Sequence, residues 1–102
     1  MNMSKILLQD LTELVSNNKE IFNDFKHIFL FGSSIKEKQY PRDIDILLVY
    51  STYSNTIAYK AEKILYYLER ELKLPVDLTV LSQNELELTG FLKKIEVYYV
   101  IK

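Results

Sequence analysis

From Ser4 to Asn17 the apolar residues Ile6, Leu7, Leu11, Leu14 and Val15 recur at three-to-four spacing, the mark of one helical face, behind a candidate cap at Ser4. Asn17-Asn18 interrupts that pattern, and a further turn is expected over Lys19 to Phe25. From His27 to Phe31 the residues become β-branched and aromatic and end at Gly32, as a strand entering a tight turn does. Ser33 to Lys38 is polar enough for a short helical turn, which Tyr40-Pro41 must end. Ile44 to Tyr50 is almost continuously apolar, so a second strand is expected there, covered over most of both faces. After a loop at Ser51 to Asn55, helical spacing returns from Thr56 to Lys73 through Ile57, Ala61, Ile64, Leu65, Leu68 and Leu72, and Pro75 stops it. Val76 to Leu81 reads as a third strand, and Ser82-Gln83-Asn84-Glu85 has the Ser-x-x-Glu form of a capping box opening a last helix. Gly90 should break that helix, and Val97 to Ile101 fits a short edge strand. The order α-β-β-α-β-α-(β) predicts an α/β (α+β) fold, a small mixed β-sheet packed with helices. At 102 residues the chain is read as a single domain, residues 1–102.

Composition narrows the partners. Thirteen basic residues against 14 acidic ones give a net charge of −1, so the broad positive field that draws proteins to long nucleic acid is missing. The absence of cysteine excludes a disulfide framework and a thiolate metal site and suits a reducing compartment. No apolar stretch is long enough to span a membrane and the N-terminus MNMSKILLQD lacks a signal-peptide core, so a cytoplasmic location and no membrane partner are expected.

The chemistry is concentrated in a few residues. Asp43 and Asp45 stand at the mouth of a strand otherwise built for burial, and alternation directs both to one face, roughly 7 Å apart along the strand. By the same parity Asp77 shares a face with Thr79 and Leu81, while Val76, Leu78 and Val80 face the core. If the third strand lies beside the second, three carboxylates converge. Such a group repels itself and loses hydration unless a cation sits among the acids. The cation that fits is Mg²⁺, a hard ion that takes oxygen ligands and shares them with substrate phosphates. Gly32-Ser33 supplies a matching turn: Gly32 permits close backbone approach, and the hydroxyl and amide of Ser33 can donate to a phosphate oxygen.

Phe31-Gly32-Ser33, nine residues, Asp43-Ile44-Asp45 and then Val76-Asp77-Leu78 together resemble the minimal nucleotidyltransferase domains of the DNA polymerase β superfamily, of the MntA-like antitoxin type. The resemblance covers nearly the whole chain in element order. It implies a polymerase β palm-like fold in which Asp43, Asp45 and Asp77 are catalytic and ligate metal, two Mg²⁺ ions, with Asp77 also the candidate base. It implies ATP as nucleotide donor, bound by Gly32, Ser33, Ser34 and Lys36. The implied reaction is transfer of AMP to a hydroxyl of a partner protein, a helical HEPN-like toxin for which this chain is the antitoxin. Against the family pattern the spacer after Ser33 is one residue short, Ser34 takes the first basic position, Lys36 serves as the second and Glu37 replaces a glycine. Those departures keep open an alternative, a catalytically silent module that neutralises or scaffolds a partner. A homo-oligomer is equally open.

His27, the single histidine, has no nucleophile to pair with and reads as structural. Tyr59 and Tyr66, with Lys63 and Arg70, form a second stripe on the long helix, either a half-buried core margin or a partner surface. Tyr98-Tyr99 poses the same choice.

Overall fold

The structure, a computed structural model, describes residues 3–32, 35 and 42–102. The elements run α1 (Met3–Asn17), α2 (Lys19–Phe22), β1 (Phe25–Phe31), β2 (Ile44–Tyr50), α3 (Asn55–Leu72), β3 (Val76–Ser82), α4 (Gln83–Thr89), α5 (Phe91–Ile95) and β4 (Tyr98–Val100). The strands form one mixed sheet in the order β3-β2-β1-β4, in which β1 is antiparallel to both β2 and β4 while β2 and β3 are parallel. The parallel pair is joined by α3, as a parallel connection requires a crossover. The mixed α/β architecture expected from the pattern is therefore the observed one.

Alternation divides the sheet into two apolar faces. Ile28 and Leu30 of β1, Ile44, Ile46 and Leu48 of β2 and Val76 of β3 meet Leu7, Leu11 and Val15 of α1, Phe22 of α2, and Ile57, Ala61, Ile64 and Leu68 of α3 in the main core. On the opposite face Phe29, Leu47 and Val49 are covered by Leu86 of α4 and Phe91 and Leu92 of α5. β2 is thus covered on both sides, as its unbroken apolar run predicts, and Ile44 and Ile46 through Val49 are fully buried. Each such side chain contributes roughly 1.5–3 kcal/mol relative to exposure. Against that background a carboxylate at position 45 is conspicuous.

Several boundaries carry their own explanation. α1 begins at Met3, so Ser4 falls inside the helix and not at its cap. Strand β1 starts two residues earlier than the pattern suggests, because its register against β2 shifts between Phe25 and His27. That irregularity turns Phe25 onto the same face as Ile28 and Leu30, where it is fully buried. α3 ends with Lys73 in the left-handed region, φ 57°, its N–H donating to the Glu69 carbonyl at 2.9 Å, ahead of Pro75. The predicted turn over Ser33 to Lys38 lies, apart from Ile35, outside the described residues; the Ile35 N–H donates to the Gly32 carbonyl at 3.3 Å.

The capping box forms as its sequence requires. The Glu85 N–H donates to Ser82 Oγ at 3.0 Å, and the Ser82 N–H donates to Glu85 Oε1 at 2.9 Å, which with the hydroxyl's own bond holds the Glu85 carboxyl below its ordinary range. Gly90 then ends α4 in the left-handed conformation, but the chain turns at once into α5, a helix that the pattern did not reveal. Because α4 and α5 cover the second apolar face, Ser82→Ala should cost about 1 kcal/mol of unfolding free energy. Urea denaturation with an unchanged m-value would be the check.

Candidate active site

The site is assembled where β2 begins. Asp43 sits in the bend leading into the strand and is exposed, whereas Asp45, one residue inside it, is half-buried. The parallel register pairs Asp45 with Asp77 of β3, Ile44 with Val76 and Ile46 with Leu78. Directly paired residues of neighbouring strands share a face, so Asp45 and Asp77 lie side by side on the face covered further along by α4 and α5. The main-core set of Val76, Leu78 and Val80 lies on the other side, as their alternation predicts.

Burial, first, and then the charges of Asp43 and Asp77 hold the Asp45 carboxyl above the usual carboxylate range, and a hydrogen bond between the Asp45 and Asp77 side chains adds to the effect. Asp45 is thus the acid on which burial and the neighbouring charges converge. Among the described residues, however, no group of three acidic or histidine side chains stands arranged to hold a metal ion.

Gly32 forms the other wall. It adopts φ +85°, a region that side chains rarely enter, and a Cβ built there would overlap Asp45 Oδ2 and come within 2.8 Å of Asp45 Cγ. The glycine is thus required twice, by backbone conformation and by the carboxylate pressed against it. Ser33, Ser34 and Lys36, the other candidate phosphate-binding residues, lie outside the described residues.

A further neighbour of the acids lies on β1. Phe31 pairs with Asp45 across β1 and β2, and with Tyr98 across β1 and β4, so Asp77, Asp45, Phe31 and Tyr98 form one row across the sheet. The Phe31 ring meets Phe91 of α5 edge to face with centroids 5.4 Å apart. In the sequence Phe31 reads as the apolar residue ahead of the Gly32 turn; its place beside the acids depends on register.

His27 is half-buried and its ring lies 6.0 Å from that of Phe29, away from the start of β2, in keeping with a structural role. Tyr59 and Tyr66 of α3 prove to be surface residues, 58% and 63% exposed, and Lys63 Nζ lies 4.8 Å from the Tyr59 ring centre. They are not a core margin. No helix among the described residues is long and apolar enough to cross a membrane.

The chain is similar over 100% of its length, and over 73% of the other chain, to a mutant form of the toxin–antitoxin pair MntA-HpeT, at 19% identity and a TM-score of 0.56. It is similar over 96% of its length to a putative nucleotidyltransferase from Sulfolobus solfataricus, of which it covers 82%, at 22% identity and a TM-score of 0.55. At such identities these likenesses speak for the fold. No curated protein matches the chain. The family described as Polymerase beta, Nucleotidyltransferase matches residues 9–98, which takes in β1, the acids of β2 and β3, and the helices between them. The chain therefore belongs to the polymerase β nucleotidyltransferase family.

Proposed function

We propose that the protein is a Mg²⁺-dependent nucleotidyltransferase that passes AMP from ATP to a hydroxyl of a partner protein. The observation that carries this reading is the coupled acid cluster, in which Asp45 is held above its ordinary range by burial, Asp43 and Asp77 at one end of the sheet. The donor set suits the ion: every candidate ligand offers hard carboxylate oxygen, and a cation would relieve the repulsion that the cluster carries. Asp43, Asp45 and Asp77 would hold it. Bound there, divalent metal supplies neutralisation of the triphosphate and of the departing pyrophosphate.

The chain's own residues do the rest. The backbone at Gly32, with Ser33, Ser34 and Lys36, would seat the phosphates. Asp77, exposed on the edge strand, would orient the acceptor hydroxyl and accept its proton. The hydroxyl oxygen then forms a bond to the α-phosphorus while the bond from that phosphorus to the bridging oxygen breaks, and pyrophosphate leaves with the electron pair. The fold likeness to a toxin–antitoxin component supports a toxin as the partner, with an all-helical HEPN-like protein as the class that this reading adopts. A cytoplasmic location follows from the same reading.

Binding can be tested apart from turnover. ATP with Mg²⁺ should raise the thermal midpoint, since a ligand held only by the native state stabilises by about 2.7 kcal/mol at a hundredfold excess over Kd. ATP with EDTA should do so far less. A midpoint indifferent to both would count against nucleotide binding.

A second reading, a silent module that neutralises or scaffolds its partner, is favoured by the exposed tyrosine face of α3 and by Ser34 and Glu37 where the family carries basic residue and glycine. It predicts partner binding that survives Asp45→Asn, with no labelling in either protein.

A further inference from the structure

The two edges of the sheet are finished differently. On β3 both ends are closed by carboxylates: the Val76 N–H donates to Glu69 Oε2 of α3 at 2.9 Å, and the Ser82 N–H donates to Glu85 Oε1 at the same distance. Acidic groups along an edge discourage the addition of another strand. Among the described residues β4 has no such protection. Its segment reads VYYVI from Val97 to Ile101, without charge or proline and rich in residues that favour strands. Val97, Tyr98 and Val100 are 49%, 36% and 60% exposed, a concentration of apolar surface at one edge.

The hydrogen bonds show which backbone groups are open. The Ile28 N–H donates to the Lys102 carbonyl at 3.2 Å, and the Ile28 carbonyl accepts from the Ile101 N–H at 2.7 Å, so the polar groups of Ile28 face β4. Alternation turns those of Leu30 the same way, toward its partner Tyr99. The backbone groups of Tyr98 and Val100 therefore point outward, and no described strand pairs with that side. Their side chains lie on the face of Phe29, whose ring meets Tyr98 edge to face at 5.3 Å, whereas Tyr99 packs against the main core.

We propose that the outer edge of β4 is a self-association surface on which a second copy of this chain adds its own β4 antiparallel, joining the two sheets. The segment is self-complementary. With Tyr99 set opposite Tyr99 of the second copy, Tyr98 stands opposite Val100 of that copy and Val100 opposite its Tyr98. Those are the residues whose N–H and C=O groups point outward, so both pairs exchange two hydrogen bonds about one twofold axis. Each pair also sets an aromatic ring against a β-branched side chain on one face, a favourable cross-strand combination. Because that axis runs through the plane of the joined sheet, the acid rows of both copies open on the same side. The surface is independent of whether those acids are catalytically active.

The test is sedimentation of the purified chain from about 1 μM to about 1 mM, with hydrogen exchange read at the two extremes. The expected result is a monomer–dimer equilibrium in which the Tyr98 and Val100 amides become protected as concentration rises. Val100→Lys, at an exposed position and with circular dichroism unchanged, should raise the dimer dissociation constant at least about tenfold. Tyr66→Lys on α3 should leave it unchanged. A chain that stays monomeric throughout the range would overturn the proposal. So would a dimer that ignores Val100→Lys or leaves those two amides exchanging freely.

Discussion

Asp45→Asn should abolish AMP transfer to the partner, by on the order of a thousandfold or more, while making the metal-free protein more stable. The two effects share a cause. Asp45 is the centre of the acid cluster, so under the proposed reading its removal would take away a candidate metal ligand, an interaction on which several kcal/mol of charge stabilisation would rest. The same substitution removes a half-buried charge that Asp43 and Asp77 oppose. The sign of the pH dependence follows. A carboxyl raised above its ordinary 3.8 binds its proton more tightly in the native chain than in the unfolded one, so its ionisation weakens the fold. That deficit is complete above the native value, shrinks as pH falls through it and vanishes below the unfolded value. Thermal melts without metal should therefore separate wild type from Asp45→Asn at neutral pH, and the gap should narrow on acidification. Transfer of label from ATP to a co-purified partner, equal in wild type and variant, would end this mechanism. A stability gap of the opposite sign would show that Asp45 is held by a favourable contact instead.

Gly32→Ala should damage both fold and site. The new methyl would overlap the Asp45 carboxylate, and the backbone is at φ +85°. Strain of that kind costs about 1–3 kcal/mol even before the overlap is relieved. Relief means moving Asp45 away from Asp77 or reshaping the turn, so transfer activity should fall with stability. Gly90→Ala is the natural comparison. Gly90 also has a positive φ, +61°, yet a Cβ there meets nothing within 4 Å. It should cost only the conformational penalty, about 1 kcal/mol, and leave transfer intact. Urea unfolding and labelled transfer on the two variants would distinguish a steric wall at position 32 from an ordinary turn glycine. Equal losses in both would remove the wall.

Much of this architecture is legible in the residues themselves. β2 spans Ile44–Tyr50, as its apolar run implies, and α3 begins and ends within one residue of the expected range. Those elements are long or strongly patterned, so local propensity and burial agree. The Ser82–Glu85 box is legible because both partners are three residues apart in the chain. α5 is not, since FLKKI is too short for a helical period to declare itself and forms by covering Phe31. The shift within β1 is equally silent, because nothing local distinguishes a regular strand from one that slips a residue to bury Phe25.

The candidate site divides along the same line. Sequence alone determined that Asp77 faces away from the main-core side of its strand and that a glycine ends β1, because alternation and backbone freedom are properties of neighbouring residues; alternation does not place Asp43, which lies in the bend before β2. That Asp77 stands beside Asp45, that the Gly32 backbone presses on its carboxylate and that Phe31 and Tyr98 complete the row was decided only by tertiary structure. Strand order and register join positions that are not neighbours in the chain, and they are chosen by which pairing buries both faces of β2 at once.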